Sequence, residues 1–201
     1  MKKIFLTCMM AFAMLTLSAQ SSKVNFRGVL ALLQQTGDTF LPVSPETAEA
    51  AGLRLVFYSC YDEGDFDSSA IYYSYNANVL GEQDENYNRK MEKTGGYACV
   101  LGVEASSGSS GSIRFSNKED YDRFFREAKA YGLLQDKDGD ETHYYINATP
   151  LKGGKVIKLS NQELFAAFMG EENPKYYPQF MLVPKGKDET GWHTYNIGID
   201  F

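Results

Sequence analysis

The sequence is poor in the residues from which recognisable reaction centres are built. It contains two histidines, His143 and His193, and three cysteines in 201 residues. No paired-cysteine zinc pattern, glycine-rich phosphate loop, nucleophile elbow or zincin helix occurs in it. Basic residues are outnumbered 20 to 26 by acidic ones, for a formal net charge of -6. Diffuse negative charge disfavours phosphate backbones and anionic lipid heads, so nucleic acid is not an expected partner. After residue 20 no apolar run approaches the roughly 20 residues of a spanning helix, so the mature chain has no transmembrane helix.

What is present suits a packed domain. Apolar residues make up 43% of the chain, charged residues 23% and aromatics 14%, which excludes a disordered tail or a fibrous repeat. Residues 1–20, MKKIFLTCMMAFAMLTLSAQ, have another character. Lys2 and Lys3 precede the uncharged run Ile4 to Leu17, and the small residues Ser18 and Ala19 follow. This is the layout of a secretory signal peptide, leaving 21–201 as one globular domain, exported to a periplasmic or extracellular space of a bacterial cell. Loss of the two lysines leaves 18 basic against 26 acidic residues, a formal charge of -8.

Export also removes Cys8, leaving Cys60 and Cys99 in an oxidising compartment, where two cysteines tend to pair. They lie in the strand-like runs LRLVFYSC and GYACVLGV, so a Cys60–Cys99 disulfide between neighbouring strands is expected. Closing that loop would restrict the unfolded chain by roughly 4 kcal/mol. A strand standing between the two would forbid the bond, because bridged Cα atoms lie within about 7 Å.

A strand-then-helix pattern recurs. IRFSNKE at 113–119 matches IKLSNQE at 157–163, and in each a serine precedes a glutamate by three positions. That is capping-box spacing, placing Ser116 with Glu119 and Ser160 with Glu163 at helix starts. Tyr121, Phe124, Phe125, Ala128 and Tyr131 then recur at helical spacing, as do Leu164, Phe165 and Phe168, with Gly132 and Gly170 as stops. Paired strand-like runs precede each copy, with EASSGSSGS at 104–112 read as a long hairpin loop. An earlier pair runs through LRLVFYSCY and AIYYSYN, followed by a polar, helical stretch near 82–93. A leading helix near 25–35 and a closing hairpin, FMLVP with WHTYNIGIDF, complete the pattern. The expectation is an α+β fold: a largely antiparallel sheet of successive hairpins with helices packed on one face.

Three chemical hints remain. Asp136, Asp138 and Asp140 fall at the first, third and fifth positions of a calcium loop, making Ca2+ the one cofactor to consider. Glu141 replaces the turn glycine of that loop and Asn147 its closing glutamate, which favours a solvated acidic turn. Tyrosine is abundant at 14 residues. Tyr72, Tyr73, Tyr144 and Tyr145 sit in strand-like runs where adjacent side chains take opposite faces, and with Trp192 they are candidate ligand contacts for a protein or glycan surface. Finally, Tyr195, Ile197, Ile199 and Phe201 alternate up to the C-terminus, as in the last strand of a small outer-membrane barrel.

The reading these features favour is an exported, non-catalytic binding or interaction protein with no catalytic residues assigned. An extracytoplasmic hydrolase using a cysteine or a carboxylate is the alternative, and an outer-membrane barrel the second; no oligomeric state is implied. Expressed with its own N-terminus, the protein recovered outside the cytoplasm should begin near residue 21 on N-terminal sequencing. An intact Met1 on that material would refute the leader.

Overall fold

The computed structural model describes residues 24–39, 41–62, 67–83, 89–105, 109–168 and 175–198. The leader at 1–20, and Ile199 and Phe201 of the C-terminal alternation, lie outside the described residues.

The chain opens with helix α1 (Phe26–Thr39). Asn25 caps it, its Oδ1 accepting from Gly28 N at 2.8 Å. Phe26, Val29, Leu30, Leu32 and Leu33 recur every three or four residues and are buried, giving the helix one apolar face. The short helix α2 (Pro45–Ala50) follows, with Ser44 as its cap and proline at its start. Hairpins dominate the rest: β1 (Arg54–Asp62) with β2 (Asp67–Tyr75), β3 (Ala77–Gln83) with β4 (Arg89–Lys93), and β5 (Cys99–Ala105) with β6 (Ser109–Phe115). After helix α3 (Lys118–Tyr131) come β7 (Leu133–Asp138), β8 (Glu141–Asn147) and the short β9 (Val156–Lys158). Helix α4 (Asn161–Phe168) and the hairpin β10 (Pro178–Lys187) with β11 (His193–Gly198) complete the fold.

Nine strands form one sheet in the order β1-β2-β5-β6-β11-β10-β8-β7-β9, while β3 and β4 make a separate pair. All its pairings are antiparallel except β7 with β9. The α+β class and the antiparallel sheet are therefore as the sequence implies. The sheet is open, with β1 and β9 outermost among the described residues, so these strands do not close into a barrel.

Alternation assigns the two faces. Ile71, Tyr73, Leu101, Val103, Ile113, Phe115, Tyr195 and Ile197 pack on one face with α1, Ala48 of α2, and Phe124 and Ala128 of α3. Burying each large side chain of this kind stabilises the fold by about 1.5–3 kcal/mol. An ion-pair chain anchors α1 to α3. Asp120, buried, holds Arg123 at 2.8 Å, and Arg123 donates to Val24 O and Glu127 Oε1, each at 3.0 Å. Glu127 Oε2 in turn accepts from Phe26 N at 2.8 Å, occupying an amide at the start of α1. The second face carries two smaller apolar clusters. At one side Ala70, Tyr72, Val100 and Trp192 lie with Ala77 and Val79 of β3; at the other Leu134, Tyr145, Leu159 and Tyr176 lie with Leu164 and Phe168 of α4.

Four expectations need correction. In the stretch near 82–93, read as helical, the described residues are strand: 82–83 end β3 and 89–93 form β4, and Val79 and Met91 of this pair pack over the second face, while 84–88 lie outside the described residues. The run KVIKL does not pair with β8: β9 joins the outer side of β7 in parallel, with Leu133 opposite Val156. EASSGSSGS is mostly strand, because pairing of β5 with β6 continues to Ala105 opposite Ser109. The Cys60–Cys99 bond is not formed, and both thiols are free. Strand β2 stands between β1 and β5, a separation of about 9.6 Å at ordinary strand spacing. Cys60 also opposes Ser69, which opposes Ala105, at the far end of β5 from Cys99.

The caps divide. Ser160 and Glu163 form the reciprocal box, with Glu163 N donating to Ser160 Oγ at 3.3 Å and Ser160 N to Glu163 Oε2 at 3.1 Å. Ser116 does not cap α3; its Oγ accepts from Ala98 N at 2.8 Å, and Asn117 caps instead, accepting from Asp120 N at 2.8 Å. Accordingly, Asn117→Ala and Ser160→Ala should each cost about 1 kcal/mol in urea denaturation, with Asn117→Ser restoring most of the first loss. An unchanged midpoint for Asn117→Ala would remove Asn117 from the capping role.

Candidate functional site

Between the two satellite clusters the second face dips into a trough, and the strand register builds it. One row runs Tyr72–Gly102–Ser112–Asn196 across β2, β5, β6 and β11. The row to one side runs Ala70–Glu104–Ser110–Gly198–Met181. The row to the other runs Ser74–Val100–Arg114–Thr194. Side chains one position on along each strand lie in the main core, so these rows face away from the helices. Gly102, Ser112 and Gly198 raise little bulk, and the β3–β4 hairpin and α4 cover the sheet only to either side. The resulting cavity has a volume of about 410 Å³ and is lined by Tyr72, Glu104, Ser112, Arg114, Met181 and Asn196 over that floor. Its size falls within the range of small-ligand sites.

Gly102 is the residue on which the trough depends. A Cβ there would lie 2.5 Å from Tyr72 Cε1, so only glycine lets the Tyr72 ring lie across β5. In that pose the phenol meets Phe57 edge-on at 6.0 Å, and its hydroxyl donates to Glu104 Oε1 at 2.5 Å. Burial first, and then the Glu104 hydrogen bond, holds the Tyr72 hydroxyl far above its usual titration range. It therefore stays protonated and acts as a fixed donor that orients the Glu104 carboxylate. Arg89 stacks behind this pair, 4.0 Å from the Phe57 ring centroid. At the other end, Arg114 Nε donates to Ser112 Oγ at 3.3 Å. Beside Arg114 in the ladder, Thr194 Oγ1 is buried with no hydrogen-bond partner among the described residues. An anionic group, a cationic group and several small hydrogen-bonding side chains thus share one depression.

Of the aromatics singled out from the sequence, only Tyr72 lines the trough. Tyr73 is fully buried and accepts from Val43 N at 2.9 Å. Tyr144 packs edge-on to Phe125 at 5.0 Å, and Tyr145 to Phe168 at 5.4 Å. Trp192 is buried beneath Lys93, whose Nζ lies 5.0 Å from the ring. Tyr73, Tyr145 and Trp192 are buried, and Tyr144 is half-buried. Asp136 and Asp138 sit on the extended β7 opposite His143 and Glu141, and Asp140 lies in the turn. The helix–loop–helix cradle of a calcium loop is not formed, because a strand replaces the loop, and no cluster among the described residues is arranged to hold a metal. Glu141 instead pairs with Lys185.

The thiols stand apart from the trough. Burial pushes the Cys99 thiol well above its ordinary value, Asp120 adding to the rise and Arg123 opposing it. Cys60 is exposed on the outermost strand β1, whereas His143 and His193 lie on β8 and β11 across the sheet. Gly102, Glu104, Ser112, Arg114 and Asn196 escaped sequence reasoning because the serine–glycine run looked like a loop. The alternation of Ser110, Ser112 and Arg114 with Gly111, Ile113 and Phe115 was the available signal. No protein-family model, curated protein or solved structure matches this chain.

Gly102→Val should lift the phenol off β5 and destabilise the protein by roughly 1–3 kcal/mol, the usual cost of overpacking. Tyr72→Phe, which keeps the ring and deletes the hydroxyl, should cost about 1.5 kcal/mol, as expected for a bond to a carboxylate. Denaturant midpoints measure both, and parental stability of Gly102→Val would contradict the close approach.

Proposed function

We propose that the chain is an exported binding module whose ligand seat is the trough across β2, β5, β6 and β11. One observation carries this reading: in the middle of an otherwise apolar, covered sheet face, the register lines up small polar residues between Glu104 and Arg114. A stretch of sheet serving stability alone is covered by apolar side chains, as it is to either side. Rigid strands hold the trough before any ligand arrives, which lowers the ordering cost of binding. Export is supported by the signal-peptide layout of residues 1–20.

The hydrolase alternative finds less support. A thiol nucleophile needs a base within hydrogen-bond reach, and the histidines lie strands away from Cys60 and Cys99. Among the described residues Glu104 is the single carboxylate lining the trough, whereas acid–base cleavage of glycosides uses two.

Backbone amide shifts during titration with uncharged oligosaccharides and short peptides test the seat. The shifts should concentrate at 102–104, 110–114 and 196–198. Shifts confined to other surfaces, or none with any probe, would refute it.

A further inference from the structure

We infer that a second site, the groove where the end of α3 meets the β8–β9 connection, takes a short acidic saccharide whose carboxylates are held by Arg126 and Lys129. Helix α3 packs on the sheet face opposite the trough, so this site is separate from that seat.

The groove is built by close backbone packing. Helix α3 stops at Gly132, whose φ is +100°, and a Cβ there would lie 2.5 Å from Leu151 Cβ. A Cβ on Gly154, with φ of +58°, would lie 2.9 Å from Ala130 O. The connection therefore seats against the last turn of α3 only with glycine at both positions. Leu151 N donates to Tyr131 O at 3.0 Å, Gly154 N to Leu151 O at 3.2 Å and Leu133 N to Lys155 O at 2.9 Å, which fixes the loop. Between the two segments lies a cavity of about 580 Å³. Arg126, Lys129 and Tyr131 form one wall, and Pro150, Leu151 and Gly153 the other. Its volume falls within the range of small-ligand sites.

Charge sets the groove apart in an acidic chain. Among the described residues no carboxylate lines it. Arg126 and Lys129 stand three positions apart on α3, about 5–6 Å between Cβ atoms, and Lys152 and Lys155 flank the paired glycines of the connection. All four are exposed. The ion pairs among the described residues engage Lys118, Arg123, His143, Lys175 and Lys185, and none engages these four. Glu127, next to Arg126 in the chain, is held by Arg123 and by Phe26 N. Lys129 in the last turn already complements the negative end of the helix, so the other three cations exceed that need.

Hydrogen-bonding character then selects the ligand class. Arginine and lysine side chains only donate, and proline has no N–H. The Leu151 and Gly154 amides are already engaged. Such walls suit a ligand rich in acceptors. A carboxylate matches the guanidinium fork, and sugar hydroxyl and ring oxygens accept from ammonium groups. Pro150 and Leu151 add apolar surface for the C–H face of a sugar ring. An acidic peptide is the less suitable occupant, because its main-chain N–H groups find no acceptor on Arg126 or Lys129.

Trigalacturonate, maltotriose and N-acetyl-triglutamate amide titrated into the purified protein, with amide shifts and calorimetry as readouts, test this. Trigalacturonate should shift the amides of 126–132 and 150–155, maltotriose should not, and added salt should weaken the binding. The double variant Arg126→Gln/Lys129→Gln should lose about tenfold in affinity. Lys137→Gln/Lys187→Gln, which removes as much charge from exposed positions on β7 and β10, should bind like the parent. Equal losses in the two double variants would reduce the effect to net charge and overturn the site. Tighter binding of the triglutamate at the same amides overturns the saccharide assignment. Absence of trigalacturonate shifts at 126–132 and 150–155 overturns the inference, whatever is found at the trough.

Discussion

Strand β11 enters the sheet between β6 and β10, and the second face depends on that insertion. It joins the strands formed early in the chain to those formed late, and its register is held by Tyr195 and Ile197 in the main core. Slipping one residue would turn both side chains outward and bury Asn196. Each lost apolar side chain would cost about 1.5–3 kcal/mol, and a buried amide without partners adds to that. Core packing therefore determines which residues of β11 reach the trough. Asn196 and Gly198 are there because Tyr195 and Ile197 cannot be.

How much of this was legible in the sequence follows from the range of the interactions. The hairpins β1–β2, β5–β6 and β10–β11 and the helices α1 and α3 rest on local alternation, helical spacing and turns, and all were readable. Sheet order was not, because pairing of β11 with β6, or of β9 with β7, is decided by which distant apolar faces meet. The disulfide expectation failed at this level: its strands were assigned correctly, and their neighbour was not. The matched heptapeptides show the same limit at smaller scale. Ser160 meets Glu163 and caps as its spacing implies, while the Ser116 hydroxyl is drawn to Ala98 N at the entrance to β5, shifting the cap to Asn117.

The candidate site was harder to read because it is made by small residues. Abundant tyrosine suggested exposed rings, yet Tyr73 and Tyr195 are among the largest fully buried side chains, and their hydroxyls bond to Val43 N and Tyr121 O. An amphipathic ring fills a core and still satisfies nearby backbone at its rim. Serine and glycine at 109–112 looked like connection, whereas on a central strand they leave the surface low. A search for reactive side chains passes over such a place, since what defines it is missing volume between Glu104 and Arg114.

That construction ties the trough's geometry to the stability of the fold. The backbone positions of Glu104 and Arg114 are fixed by the register of the paired strands β5 and β6, in which Glu104 opposes Ser110 and Val100 opposes Arg114. They can change only if the strands slip, and slipping would expose Leu101, Val103, Ile113 and Phe115, which the main core holds fully buried. The two residues are thus positioned by apolar packing on the opposite face of the same strands. Tyr72 adds orientation to position, because its hydroxyl reaches Glu104 only while Gly102 leaves room for the ring.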